Sequence, residues 1–137
     1  MIITKIQGGL GNQMFQYAFG RMLARRQNTE LKLDITMFKT YEFHLYTMNH
    51  LNIQGSYATQ EEIDEFTRSR PRRGKLGIIL KPLFADKTRY IEELTFTYNP
   101  EMHKVKAPCY IDGYWQSEKY FLEIEDLIRK EFTLREP

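Results

Sequence analysis

Ile2, Ile3, Thr4 and Ile6 are β-branched and run directly into Gly8, Gly9 and Gly11, a pattern that predicts a buried first strand ended by a glycine turn. Behind the turn, Met14, Phe15, Ala18, Phe19, Met22 and Leu23 recur at helical spacing. They predict a helix over residues 13–27, with Asn12 as its N-cap and one face on the sheet. Asn28 is a helix stop, after which Leu31, Leu33 and Ile35 alternate with polar residues as a second strand. The opening is a βαβ unit.

Residues 36–55 are rich in aromatics and histidine but keep no period, so they read as a long irregular connection, where function often resides. Thr59 and Glu62 have capping-box spacing and start a short helix that reaches Arg68. Arg68, Arg70, Arg72, Arg73 and Lys75 then surround Pro71 and Gly74, a composition that favours an exposed loop over helix or strand. Lys81 and Pro82 interrupt an apolar run over 76–84, and the alternation around Phe96 and Tyr98 predicts a further strand. Residues 109–114 read as a strand, and Ser117 as the cap of a helix on which Tyr120, Phe121, Ile124, Leu127 and Ile128 recur, ending near Phe132.

Length and charge narrow the function. The 137 residues suit one α/β domain with a real core, not two. The net charge of +2 lacks the segregated excess of a nucleic-acid-binding domain, so no nucleic-acid partner is expected. Cys109 is the single cysteine, which rules out an internal disulfide and a thiolate zinc site. No apolar leader or span precedes the first strand, so the expected location is cytoplasmic, with membrane contact at most peripheral.

A strand, a glycine turn and a helix together make an anion site, because the free amides of the first helical turn point outward and the helix dipole favours negative charge. Gly8, Gly9 and Gly11 permit close backbone approach, and the side-chain amides of Asn12 and Gln13 can donate to phosphate or to a sugar hydroxyl. The alternatives are a turn needed only for packing and an Asn12 that only caps the helix. Met14 stands where the dinucleotide fingerprint has its third glycine, which weakens an NAD-binding Rossmann reading, although Asp34 lies where a ribose-binding acid would be. No lysine followed by serine or threonine completes a P-loop.

The run from Gly8 through Gly9, Leu10, Gly11, Asn12, Gln13, Met14, Phe15, Gln16 and Tyr17 to Ala18 resembles the N-terminal signature of the bacterial α-1,2-fucosyltransferases, glycosyltransferase family 11. A second block, from Gly113, Tyr114, Trp115, Gln116 and Ser117 to Phe121, resembles the block that precedes that family's donor domain. The resemblance implies a Rossmann-like N-terminal domain of a GT-B type enzyme, with residues 1–137 as its acceptor-side domain and most of the donor-binding C-terminal domain absent. It implies inverting transfer of L-fucose from GDP-β-L-fucose to the 2-hydroxyl of a β-galactoside, with no metal and no cofactor, and a C-terminal domain in cis. The family's His-x-Arg-Arg-x-Asp motif, whose first arginine is thought to neutralise the donor diphosphate, does not occur here. An inactive fragment is the expectation, and a non-catalytic glycan-binding module is the alternative.

The substrate-binding candidates are Gly8, Gly9, Gly11, Asn12, Gln13, His44, Trp115 and Gln116. Tyr114 and Trp115 are read as a face for a sugar ring or as core packing, and Gln116 as reaching a hydroxyl. His44 and His50 are candidates to touch or deprotonate the acceptor. Asp34, Asp112 and the arginine-rich loop are expected to be solvated or to cap locally, the arginines being candidates to bind anionic lipid or a lipid-linked acceptor.

Overall fold

A strand that is apolar on both faces belongs in the middle of a covered parallel sheet, and the Ile2–Ile3 pair occupies that position. The computed structural model describes residues 1–40, 42–68, 70, 72–73, 79–80 and 89–136. In chain order these form β1 (Ile2–Lys5), α1 (Leu10–Arg26), β2 (Leu31–Asp34), β3 (Ser56–Tyr57), α2 (Gln60–Thr67), β4 (Arg72–Arg73), β5 (Ile79–Leu80), β6 (Tyr90–Glu92), β7 (Cys109–Asp112) and α3 (Glu125–Glu131). Five strands make one sheet in the order β3-β2-β1-β7-β6, with every neighbouring pair parallel. The short β4 and β5 pair antiparallel with each other. The result is an α/β architecture compatible with a Rossmann-like fold, and all carboxyl ends of the five strands lie along one edge of the sheet.

Side-chain alternation divides the core in two. Ile2, Ile6, Leu31, Leu33, Cys109 and Ile111 pack against Phe19, Met22 and Leu23 of α1 in the larger cluster. Ile3, Tyr90 and Tyr110 meet Ile63 and Phe66 of α2 in the smaller one. The capping box of α2 forms as its sequence predicts, with the Thr59 hydroxyl accepting from the Glu62 N–H and the Glu62 carboxylate from the Thr59 N–H at 2.9 Å.

Several expectations need correction. Helix α1 starts at Leu10, with Gly9 at its N-cap in an extended conformation, so Asn12 lies inside the first turn and caps nothing. The strand expected near Phe96 and Tyr98 is instead β6, and Phe96 is 76% exposed in an irregular segment. Ser117 does accept from the Lys119 N–H, but it opens 3-10 turns at Glu118–Tyr120 and Leu122–Ile124, and α-helical geometry begins only at Glu125. Buried Tyr120 is fixed there by ring contacts with Phe19, Tyr98, His103 and Trp115 and by the Asn99 N–H, and Phe121 leaves helical angles at φ −136°. Arg72 and Arg73 form β4 rather than loop. The expectations for Pro71, Gly74 and Lys75, and for the apolar run at 76–84 apart from Ile79 and Leu80, fall outside the described residues.

Candidate functional site

The β1–α1 turn and the segment after β7 emerge side by side, because β1 and β7 are adjacent parallel strands. Gly8 turns the chain at φ +78°, a conformation that a side chain would strain. Helix α1 then begins without a side-chain cap and without an acidic residue in its first turn. Its leading amides and positive dipole end therefore face the carboxyl edge, a setting that favours an anion or a polar oxygen.

Asn12, in that first turn, accepts a hydrogen bond from the Gln116 side-chain amide at 2.5 Å, across 104 residues of sequence. The two sequence blocks thus meet here, and again where the Phe15 and Phe121 rings touch at 6.1 Å. His44 joins them: a methyl group placed on Gly9 would meet its ring at 3.6 Å, and the His44 side chain is exposed. Exposed Leu10, Phe43, Leu45, Leu94 and Phe96 occur in the segments that border this edge, and Phe96 makes a ring contact with Tyr114 at 6.0 Å.

Other residues of the first block act inward. Gln13 is fully buried: its amide donates to the carbonyls of Gly8 and Leu45, each at 2.9 Å, and its carbonyl accepts from the Thr47 N–H at 3.2 Å. Both amide hydrogens are used within the chain, so Gln13 seats the 45–47 segment that holds His44 beside the turn. Gln16 accepts from the Gln7 N–H at 2.9 Å. Tyr17 donates to Glu131 at 2.6 Å, while Glu131 also receives two nitrogens of Arg21. Burial, reinforced by Glu131, holds the Tyr17 phenol well above its usual pKa range, so it stays a neutral donor.

The second block is organised by Glu93, a residue that the sequence did not single out. Its carboxylate receives the N–H groups of Tyr114 at 3.1 Å and of Trp115 at 3.2 Å. Gly113 is needed for this approach, since a methyl group there would lie 2.5 Å from the Glu93 Cβ. Trp115 is fully buried, in contact with Phe19 at 4.6 Å and Tyr120 at 5.7 Å, so its ring packs in the core and presents no open face.

The two aspartates are not solvated. Asp34 is 3% exposed, caps Thr36 and accepts from the Tyr110 hydroxyl, which leaves it committed within the chain rather than open to a ribose. Asp112 accepts from Tyr90 and from Lys5 at 3.4 Å. His50 lies in a 3-10 turn whose carbonyl accepts from the Arg135 N–H. Among the described residues, no group of histidine, cysteine and carboxylate side chains is placed to hold a metal ion, and no helix is long and apolar enough to cross a membrane.

No family model and no solved structure matches the chain. The chain is similar to an α-1,2-colitosyltransferase of Escherichia coli, with 32% identity over 139 residues. The alignment takes in 97% of this chain and 45% of that protein, so the chain spans about half the length of the curated relative it matches. The sequence is thus related to that of a glycosyltransferase, through just under half of the relative.

Proposed function

We propose that this chain forms the acceptor-side half of an inverting α-1,2-glycosyltransferase of the family 11 type, which moves L-fucose, or the related sugar colitose, from its GDP-linked form to the 2-hydroxyl of a β-galactoside. The observation that carries the reading is the identity to an α-1,2-colitosyltransferase along 97% of the chain. The convergence of Asn12 and Gln116 beside the glycine turn agrees with it, because open parallel sheets bind ligands outside the carboxyl ends of their strands.

The chemistry assigned to the edge follows from its groups. The acceptor O2 attacks the anomeric carbon as the bond from that carbon to the diphosphate oxygen breaks, and GDP departs on the opposite side. Negative charge grows on the diphosphate, which the uncapped α1 amides suit. The Asn12 and Gln116 amides orient sugar hydroxyls, and His44, seated against Gly9, is our candidate to receive the O2 proton. The arginine that neutralises the diphosphate is assigned to sequence outside these 137 residues. Metal and cofactor are not required by this scheme.

Donor choice tests the proposal. Colitose is fucose without its 3-hydroxyl. A site built to bond that hydroxyl rejects the deoxy sugar by roughly 10⁴-fold, whereas a site shaped for the deoxy sugar rejects fucose by only about 10²-fold. Transfer from GDP-fucose and from GDP-colitose to lactose should be measured with the protein expressed from its full reading frame. Transfer from either donor, with inversion, is the expected result, and the ratio identifies the natural sugar. No transfer from either to any β-galactoside would overturn the proposal.

A further inference from the structure

Phe96 and Tyr114 are aromatic residues to which the reaction scheme gives no part. Phe96 is 76% exposed in the segment after β6, and Tyr114, half-buried, lies just past the end of β7. Because β6 and β7 are neighbouring parallel strands, both segments leave the same carboxyl edge. The two rings meet there at 6.0 Å with their planes tilted by 50°. The backbone behind them is held firmly: the Glu93 carboxylate, three residues before Phe96, accepts the Tyr114 N–H at 3.1 Å and the Trp115 N–H at 3.2 Å. Trp115 adds a left-handed backbone at φ +54°, which turns the chain between Tyr114 and Gln116.

Tyr114 and Gln116 lie two residues apart, so their backbones are at most about 7 Å from each other, a gap that one hexose ring bridges. The Gln116 side chain is exposed and gives one amide hydrogen to Asn12, and an amide has donor and acceptor capacity beyond that bond. Aromatic surface beside exposed amides suits a ring with an apolar face and a hydroxyl rim. β-Galactose is such a ring: its axial 4-hydroxyl stands on one face, and the hydrogens of C3, C4 and C5 gather on the other. The negative charge of Glu93, bonded to the Tyr114 backbone itself, disfavours a diphosphate at these rings. The 50° tilt makes a corner, not the parallel slot that would clasp a flat nucleobase from both sides. We propose that Phe96 and Tyr114 form the platform for the apolar face of the acceptor's β-galactose, beside hydroxyl contacts with Gln116 and Asn12. The stacking role passes from Trp115, whose ring is core, to the exposed Phe96. The inference rests on the glycosyltransferase reading for its choice of a galactoside.

Lactose carries galactose and glucose in one molecule, so saturation-transfer NMR on the protein expressed from its full reading frame compares the two rings directly. Irradiation of the protein should saturate the hydrogens on C3, C4 and C5 of galactose most, and the glucose unit least. Phe96→Ala should weaken lactose binding about five- to tenfold, while Phe96→Tyr, which keeps the ring, should bind within about twofold of wild type. Since Phe96 is 76% exposed, Phe96→Ala should leave the thermal midpoint unchanged. The proposal is overturned if lactose does not bind, if its glucose unit takes the saturation, or if Phe96→Ala binds lactose like wild type. Displacement of lactose by GDP would give the platform to the guanine and overturn it too. So would a lowered thermal midpoint in Phe96→Ala, which would mean that protein covers the ring. Transfer assays keep the two claims apart: Phe96-dependent lactose binding without transfer leaves the platform standing and removes the enzymatic reading, and transfer indifferent to Phe96→Ala does the reverse.

Discussion

Replacement of Gln13 tests whether the glycine turn is held in place by its own chain. The side chain makes three hydrogen bonds, to the Gly8 and Leu45 carbonyls and from the Thr47 N–H, and none of its surface is exposed. At about 1 kcal/mol net for each bond, the loss would approach 3 kcal/mol. Leu45 is 76% exposed, so its carbonyl can be rehydrated, which brings the expected cost of Gln13→Ala to about 2 kcal/mol. For a chain of this length that corresponds to a thermal midpoint lowered by roughly 6–10 °C. Gln13→Glu should be worse at neutral pH, because a carboxylate would face two carbonyl oxygens in a buried site. Those oxygens and the burial raise the pKa of the introduced carboxyl in the folded state. A raised group contributes its stability below its unfolded value of about 4.3 and loses it as pH rises through the folded value. The deficit of Gln13→Glu relative to wild type should therefore shrink as pH falls from 7 toward 4, opposite to ordinary acid denaturation. Urea titrations across that range, with amide exchange at residues 43–47, read both effects. A change below about 0.5 kcal/mol in Gln13→Ala, with unchanged exchange at 43–47, would refute the seating role.

Three further outcomes follow from the geometry. Gly113→Ala places a methyl group 2.5 Å from the Glu93 Cβ and 2.9 Å from the Trp115 ring, so the Glu93 clasp must open. The cost should be about 1–3 kcal/mol in urea titration, with a red shift of tryptophan emission as the indole meets water. Cys109 is fully buried and burial pushes its thiol up to about 12, so a disulfide reagent at pH 8 should modify it only at the rate of unfolding. Burial, then the charge of Arg26, holds the His103 ring below its usual pKa. The unfolded chain then binds the proton more readily, and stability should decline as pH falls through the unfolded value of about 6.5, a slope that His103→Gln should flatten in thermal melts.

How far the sequence speaks depends on how local each signal is. The β1–α1–β2 opening was readable because branched residues, glycines and helical spacing lie within one short run, and the Thr59–Glu62 box was readable because both partners sit within three residues. Asn12 misled as an N-cap because Gly9 could adopt the extended cap conformation itself, a freedom that residue preferences alone do not resolve. The periodicity after Ser117 correctly identified Tyr120, Ile124 and Ile128 as buried but not the 3-10 turns, which arise from contacts of Tyr120 with distant rings. Gln13, Glu131 and Glu93 draw their roles from partners 21–114 residues away, so the sequence read Gln13 as a ligand donor rather than the buried seat of the 45–47 segment and did not single out Glu131 or Glu93. The sequence did place Asn12 and Gln116 among the candidates, and it gave no sign that they touch.

We have proposed that the joined turn and post-β7 segment form the substrate site of a sugar transferase. Initial rates of transfer from GDP-fucose and GDP-colitose to lactose, measured for the full reading frame and for its Asn12→Ala and Gln116→Ala variants, test it most directly. The expected result is saturable transfer by the parent protein and about a tenfold or larger loss of kcat/KM in each variant, with thermal midpoints essentially unchanged. Transfer that ignores both substitutions, or no transfer from any of the three proteins, would contradict it.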